Sequence, residues 1–164
     1  MKRNNLIVIL LVFSVKVAFC QDSKYINFYA KEDGVGHAFV SLVWEDSKEQ
    51  MTRLEGTWGL YPKRSKDGGK SFFIGEVPGE IRDDIKTQKD LIFSLKVNDV
   101  EYSTAIKIIN QWKNKNYELL ESDCLSFIIQ IACIAEKRIV IPKRSGFENH
   151  PARYLTKLIN LNKL

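Results

Sequence analysis

Two residues in this chain are placed to do nucleophilic chemistry. The stretch Glu121-Ser-Asp-Cys124-Leu-Ser-Phe-Ile-Ile-Gln-Ile-Ala-Cys133-Ile-Ala-Glu136 opens on the helix-capping types Ser122 and Asp123 and runs on without Gly or Pro. That pattern predicts a buried helix with Cys124 in its first turn. Unpaired backbone N–H groups and the positive end of the helix dipole favour the thiolate there, which attacks carbonyl carbon, and lower the thiol below its free pKa of about 8.5. Such a thiol needs a base to take its proton and return it to the leaving amine, and a polar group to orient that base. The chain has two histidines. His37 falls on the polar side of an alternating strand, with Glu55 and Thr57 on the polar side of the next, whereas His150 precedes Pro151 and reads as a helix cap. The structural alternative for the same residues is a capped core helix carrying a small apolar cysteine.

The other cysteines are read differently. Cys124 and Cys133 are nine residues apart on one predicted helix, roughly 13 Å along its axis, too far for a disulfide. Cys133, beside Ile131 and Ile134, reads as a buried packing residue, and Cys124 as a part-buried one beside a cleft. Zinc needs three or four clustered ligands, which histidines 113 residues apart without a His-Glu-x-x-His pattern do not offer. A Gly-x-Ser-x-Gly elbow is absent from the sequence. No metal or cofactor is therefore expected.

The elements that must position these residues follow from periodicity. Residues 25–30 have the aromatic and β-branched content of a strand, and 37–44 and 51–61 form an alternating hairpin around the polar turn 45–49. One face of that hairpin carries Ala38, Val40, Leu42 and Trp44 with Leu54, Trp58 and Leu60. The other carries His37, Phe39, Ser41 and Val43 with Arg53, Glu55, Thr57 and Gly59, so Glu55 or Thr57 is expected near His37. Residues 62–70 read as a basic loop, 71–76 as a short strand ending at Val77-Pro-Gly79, and 91–97 as another strand. Asn98 or Asp99 caps a helix to about Asn114 with Ala105, Ile108, Ile109 and Trp112 inward. After the cysteine helix, 138–142 reads as a closing strand or extended segment, and Pro151 opens a last helix with Tyr154, Leu155, Leu158 and Ile159 inward. The expected fold is α+β: an antiparallel sheet followed by C-terminal helices.

The first residues set the compartment. Lys2 and Arg3 precede the apolar run 6–13, which is shorter than the roughly 20 residues a transmembrane helix needs. A cleaved signal peptide over 1–20 is expected, with the small residues Ala18 and Cys20 before the cut. Acylation of Cys20 as a lipoprotein fits less well because bulky Phe19 precedes it. Cleavage leaves one domain over 21–164. It also removes Lys2, Arg3 and Lys16 and no acid, so 25 basic residues become 22 against 20 acidic ones. A net charge of +2 gives no reason to expect a nucleic acid partner.

Gly36-His-Ala-Phe-Val-Ser-Leu42, Thr57-Trp-Gly-Leu-Tyr-Pro62 and Tyr117-Glu-Leu-Leu-Glu-Ser-Asp-Cys124-Leu-Ser-Phe127 resemble the circularly permuted branch of the NlpC-like, papain-fold cysteine amidases. In that branch the strand histidine precedes the cysteine, as it does here. The resemblance spans about residues 25–160 and implies Cys124 as nucleophile and His37 as base. It points to Glu55 as the group that orients the histidine, with Thr57 as the alternative. The common Asn-Cys pair is Asp123-Cys124 here, and a carboxylate beside a thiol raises its pKa unless it points away as a cap. The implied function is a secreted amidase or endopeptidase acting on peptidoglycan stem peptides. Acyl transfer or lipid deacylation on the same fold, and a non-catalytic cell-wall- or protein-binding domain using Trp44, Trp58, Tyr61, Phe72 and Phe73, are the alternatives.

Overall fold

Alternating apolar residues build the sheet. In the computed structural model, which describes residues 22–63 and 75–163, strands β1 (Ser23–Lys31), β2 (His37–Asp46) and β3 (Met51–Pro62) run antiparallel in succession. Ile26, Phe28 and Ala30 of β1 lie beside Leu42, Val40 and Ala38 of β2 on one face, all fully buried. β4 (Val77–Arg82) pairs with β3, β5 (Leu91–Val97) with the outer edge of β1, and the two-residue β6 (Asn116–Tyr117) with β4. The six described strands are ordered β5-β1-β2-β3-β4-β6. The expected export signal with Cys20, nearly all of the basic loop, and most of the expected strand at 71–76 with Phe72 and Phe73 lie outside the described residues.

Three helices cover one face of the sheet. Asn98 caps α1 (Asp99–Trp112) in a reciprocal box with Glu101, and the expected stripe of Ala105, Ile108, Ile109 and Trp112 is buried. Asp123 caps α2 (Cys124–Ala132), whose Leu125, Phe127, Ile128 and Ile131 are almost inaccessible. Each such side chain contributes about 1.5–3 kcal/mol by leaving water, so α2 is held mainly by its packing. Pro151 opens α3 (Pro151–Leu161), which buries Tyr154, Leu155 and Leu158. The domain is thus α+β, an antiparallel sheet with its helices in the C-terminal half. None of the helices among the described residues is long and apolar enough to cross a membrane.

Two expectations about elements change and a third narrows to one of its alternatives. Val77-Pro-Gly79 begins β4 rather than ending a strand, with Pro78 near the strand's start beside the two-residue β6 and its carbonyl accepting from the Lys63 N–H. Residues 138–142 form no strand; the Tyr154 hydroxyl donates to the Pro142 carbonyl over 2.9 Å and ties this extended segment to α3. Most consequential is a bulge in the hairpin. Leu42 pairs with Gly56 but Val43 pairs with Leu54, which leaves Glu55 as an extra residue on β3. A bulge reverses the alternation beyond it, so Leu54 leaves the face it would share with Leu60 and is exposed.

Candidate active site

His37 is the first residue of β2, and Ala38 beside it faces the helices. Strand alternation therefore sends the His37 ring to the opposite face, where it stacks on Phe39 at 5.6 Å and lies 4.2 Å from the Tyr61 ring. Its Nε2 is 3.1 Å from Asp84 Oδ2. With an ionised carboxylate as partner, Nε2 carries the proton and Nδ1 keeps the lone pair that can act as a base.

Asp84 is the polar centre of this face. It is 2 % exposed and lies just beyond β4. The Tyr61 hydroxyl donates to its Oδ1 over 2.5 Å and the Thr87 hydroxyl over 2.7 Å. Burial alone would raise its carboxyl pKa, but the bonds from His37, Tyr61 and Thr87 outweigh it and hold the group below the usual carboxylate range. The Asp83-Asp84 turn is fixed from β3: the Asp84 N–H donates to the Thr57 carbonyl, and the Thr57 hydroxyl donates to Asp83 Oδ1 over 2.5 Å. Gly59 makes the approach possible. A Cβ there would land on Asp84 Oδ2 and 2.5 Å from His37 Nε2.

Cys124 opens α2 on the helix side. It is only 7 % exposed, and burial followed by the Asp123 charge pushes its thiol up to about 12, although the Ala38 and Leu125 N–H groups and the Arg144 charge act in the other direction. The low thiol pKa expected from a helix start is thus reversed, because a buried sulfur loses more from desolvation than the first helical turn returns. Cys133 is reversed as well. It is the exposed thiol of the two, since α2 ends at Ala132 and a 3-10 turn follows.

Cys124 and His37 reach one cleft from different sides of the sheet, the sulfur from the helix side and the ring from the other face. Both line a cleft of about 410 Å3 with Leu60, Tyr61, Thr87 and Tyr117, and Lys31 and Asp33 also border it. The Ala38 N–H that points at the sulfur belongs to the residue next to His37. Among the described residues no hydrogen bond joins the sulfur to the ring.

Glu55 is not beside His37, and that expectation is corrected. Its carboxylate accepts from the Tyr102 hydroxyl of α1 over 2.5 Å and borders a separate pocket of about 230 Å3 with Lys24 and Trp44. Two physical reasons account for this. A hairpin pairs the start of its first strand with the end of its second, and the observed register places Gly59 against Phe39 and hence Tyr61 against His37. The bulge then turns Glu55 toward the helices. Thr57 reaches the site only through the Asp83-Asp84 turn. His150 packs its ring against Gly36, which has φ +73° and no room for a Cβ. Of the candidate aromatic surface, Trp58 packs on the core and Tyr61 belongs to the Asp84 cluster.

Asp84 and Thr87 were not visible as site residues in the sequence. They stand in Arg82-Asp-Asp-Ile-Lys-Thr87, a polar stretch between strands with no motif. Tyr61 had no such signal either, since counting pairs back from the expected turn brings Trp58 opposite His37, and only the observed turn together with the bulge shifts Tyr61 into that place. Comparison of the chain with protein families, curated proteins and solved structures finds no match.

Proposed function

We propose that this protein is an exported cysteine amidase or endopeptidase of the permuted NlpC-like kind, with Cys124 as nucleophile, His37 as base and Asp84 as the residue that orients the base. The observation that carries the reading is the shared cleft: a thiol at a helix start and a histidine whose Nε2 is engaged by a buried carboxylate open into one cavity. The strand histidine preceding the helix cysteine is the permuted order, and a sheet followed by helices suits that fold.

The geometry favours attack with concurrent proton transfer over a resting ion pair. A thiol pushed up to about 12 is protonated at neutral pH. His37 Nδ1 accepts its proton, directly or through one water in the cleft, as the sulfur adds to the amide carbonyl. Asp84 holds the ring and stabilises the imidazolium that forms, and the Tyr61 and Thr87 hydroxyls keep that carboxylate ionised. The Cys124 N–H, in the first turn of α2, is a donor for the oxyanion. His37 then returns its proton to the leaving amine, an acyl-enzyme remains on the sulfur, and water releases it.

Peptidoglycan stem peptides are the proposed substrates, in keeping with the export signal expected over residues 1–20. Mass analysis of purified peptidoglycan incubated with the protein tests this reading. Newly cut stem peptides with the wild type and none with Cys124→Ser are expected. Intact peptides alongside acyl release from thioesters or lipid esters would move the assignment to acyl transfer. Undiminished cutting by Cys124→Ser would overturn the mechanism.

A further inference from the structure

A buried ion pair lies directly behind the sulfur. Asp123 is 3 % exposed and precedes Cys124, and its carboxylate accepts from the backbone N–H groups of Leu120, Leu125 and Ser126. Arg144, from the extended segment before α3, grips it with two nitrogens: Nη1 donates to Oδ1 over 2.9 Å and Nη2 to Oδ2. The same guanidinium donates to Ser126 Oγ over 2.6 Å and to Asn149 Oδ1 over 2.9 Å. Its side chain is only 14 % exposed. A bidentate, largely buried fork fixes both the place and the charge of its carboxylate.

We propose that Arg144 is a positioning residue for Cys124: by clamping and neutralising the carboxylate next to the nucleophile, it lets negative charge form on the sulfur. The inference rests on the proposed nucleophilic role of Cys124. An unclamped Asp123 would place a full negative charge one residue from the developing thiolate, whereas the clamped one serves as the α2 cap. The charges facing the sulfur support this assignment. Asp123 opposes its ionisation and Arg144 favours it; Tyr61 and Tyr117 are held neutral by burial and by nearby negative groups. His37 lines the same cleft, with Lys31 and Asp33 also on it.

The two partners of one ion pair make opposite predictions, which separates this role from simple support of the fold. The experiment is alkylation of the full folded protein by iodoacetamide across a pH series, read by mass at the Cys124 peptide, with melting temperatures for each variant. Arg144→Met should slow labelling at fixed pH on the order of tenfold, and Asp123→Asn should speed it by a similar factor. The double variant should return to near the wild-type rate, and Arg144→Lys should fall between wild type and Arg144→Met. A purely structural clamp would instead move both single variants in the same direction as the fold loosens, and that result overturns the inference. Equal rates in all variants would overturn it too. Failure of the nucleophile assignment has a different signature, a Cys124 that labels normally while Cys124→Ser retains full amidase turnover.

Discussion

The hairpin of β2 and β3 carries the same pair of groups at each end, a tyrosine hydroxyl donating to a carboxylate over 2.5 Å. At the open end the pair is Tyr61 and Asp84; near the turn it is Tyr102 and Glu55. Their surroundings differ. Asp84 is buried, also accepts from Thr87 and contacts His37 Nε2, and its partners His37, Tyr61 and Thr87 line the cleft that holds Cys124. Glu55 is exposed on a bulge, and its pocket is shared with Lys24, Trp44 and Tyr102, with neither a histidine nor a cysteine among them. A strong hydrogen bond to a carboxylate therefore marks no site by itself; the third group on the carboxylate and the nucleophile within reach decide its chemistry.

The sharpest way to break this comparison is to neutralise each carboxylate. Asp84→Asn should lower turnover by roughly 10²–10⁴, because the histidine loses both its fixed tautomer and the charge that stabilises its protonated form. Glu55→Gln should stay within about twofold of wild type in the same steady-state assay, and the opposite ranking would return the orienting role to Glu55. Acid offers a second test of the Asp84 end. Asp84 has a depressed pKa in the folded protein, so it adds stability above the unfolded carboxylate value near 4 and that share is lost as pH falls through the folded value. Denaturation of wild type and Asp84→Asn should therefore differ at neutral pH and converge below about pH 4.

The neighbouring glycines give a smaller contrast. Gly59→Ala drives a methyl into the Asp84 and His37 contact, whereas at Gly56 a Cβ meets the ring of the partly buried Trp58, away from that contact. Gly59→Ala should cost about 1–3 kcal/mol in chemical denaturation and lose activity with it, and Gly56→Ala should cost less and spare turnover. Removing the hydroxyls is milder again. Tyr61→Phe should slow turnover about tenfold through the loosened Asp84, while Tyr102→Phe should cost only about 1 kcal/mol of stability and leave turnover alone. The smallest expected effect is at Cys133, whose exposed side chain makes Cys133→Ser neutral within about 0.5 kcal/mol, whereas Cys124→Ser buries a hydroxyl and should lower the melting temperature.

Much of the frame was legible because it depends on local periodicity. The strand at 91–97, the Asn98 cap, the stripe from Ala105 to Trp112 and the Asp123 cap of the cysteine helix all follow from spacings of two and of three to four residues, and the structure has each of them. What the sequence did not reveal depends on contacts between distant segments. One extra residue at Glu55 reverses the face of the part of β3 nearer the turn, and Gly56, a residue type that often marks a bulge, is a weak local trace of it. Asp84 is 47 positions from His37 and Arg144 is 21 from Asp123, so neither partnership leaves a periodic trace. The thiol misled for a related reason. A helix start is a local feature that favours the thiolate, but burial under β2, set by the tertiary fold, outweighs it.

The central claim is that Cys124 is acylated with His37 as its base. Intact and peptide mass spectrometry after brief mixing with p-nitrophenyl acetate tests it most directly, since an activated ester acylates a competent nucleophile without requiring the natural substrate. The account predicts a transient acetyl adduct on Cys124 that forms orders of magnitude more slowly in His37→Ala and at an unchanged rate in Glu55→Gln. Acylation confined to the exposed Cys133, or of Cys124 at an undiminished rate without His37, would contradict it.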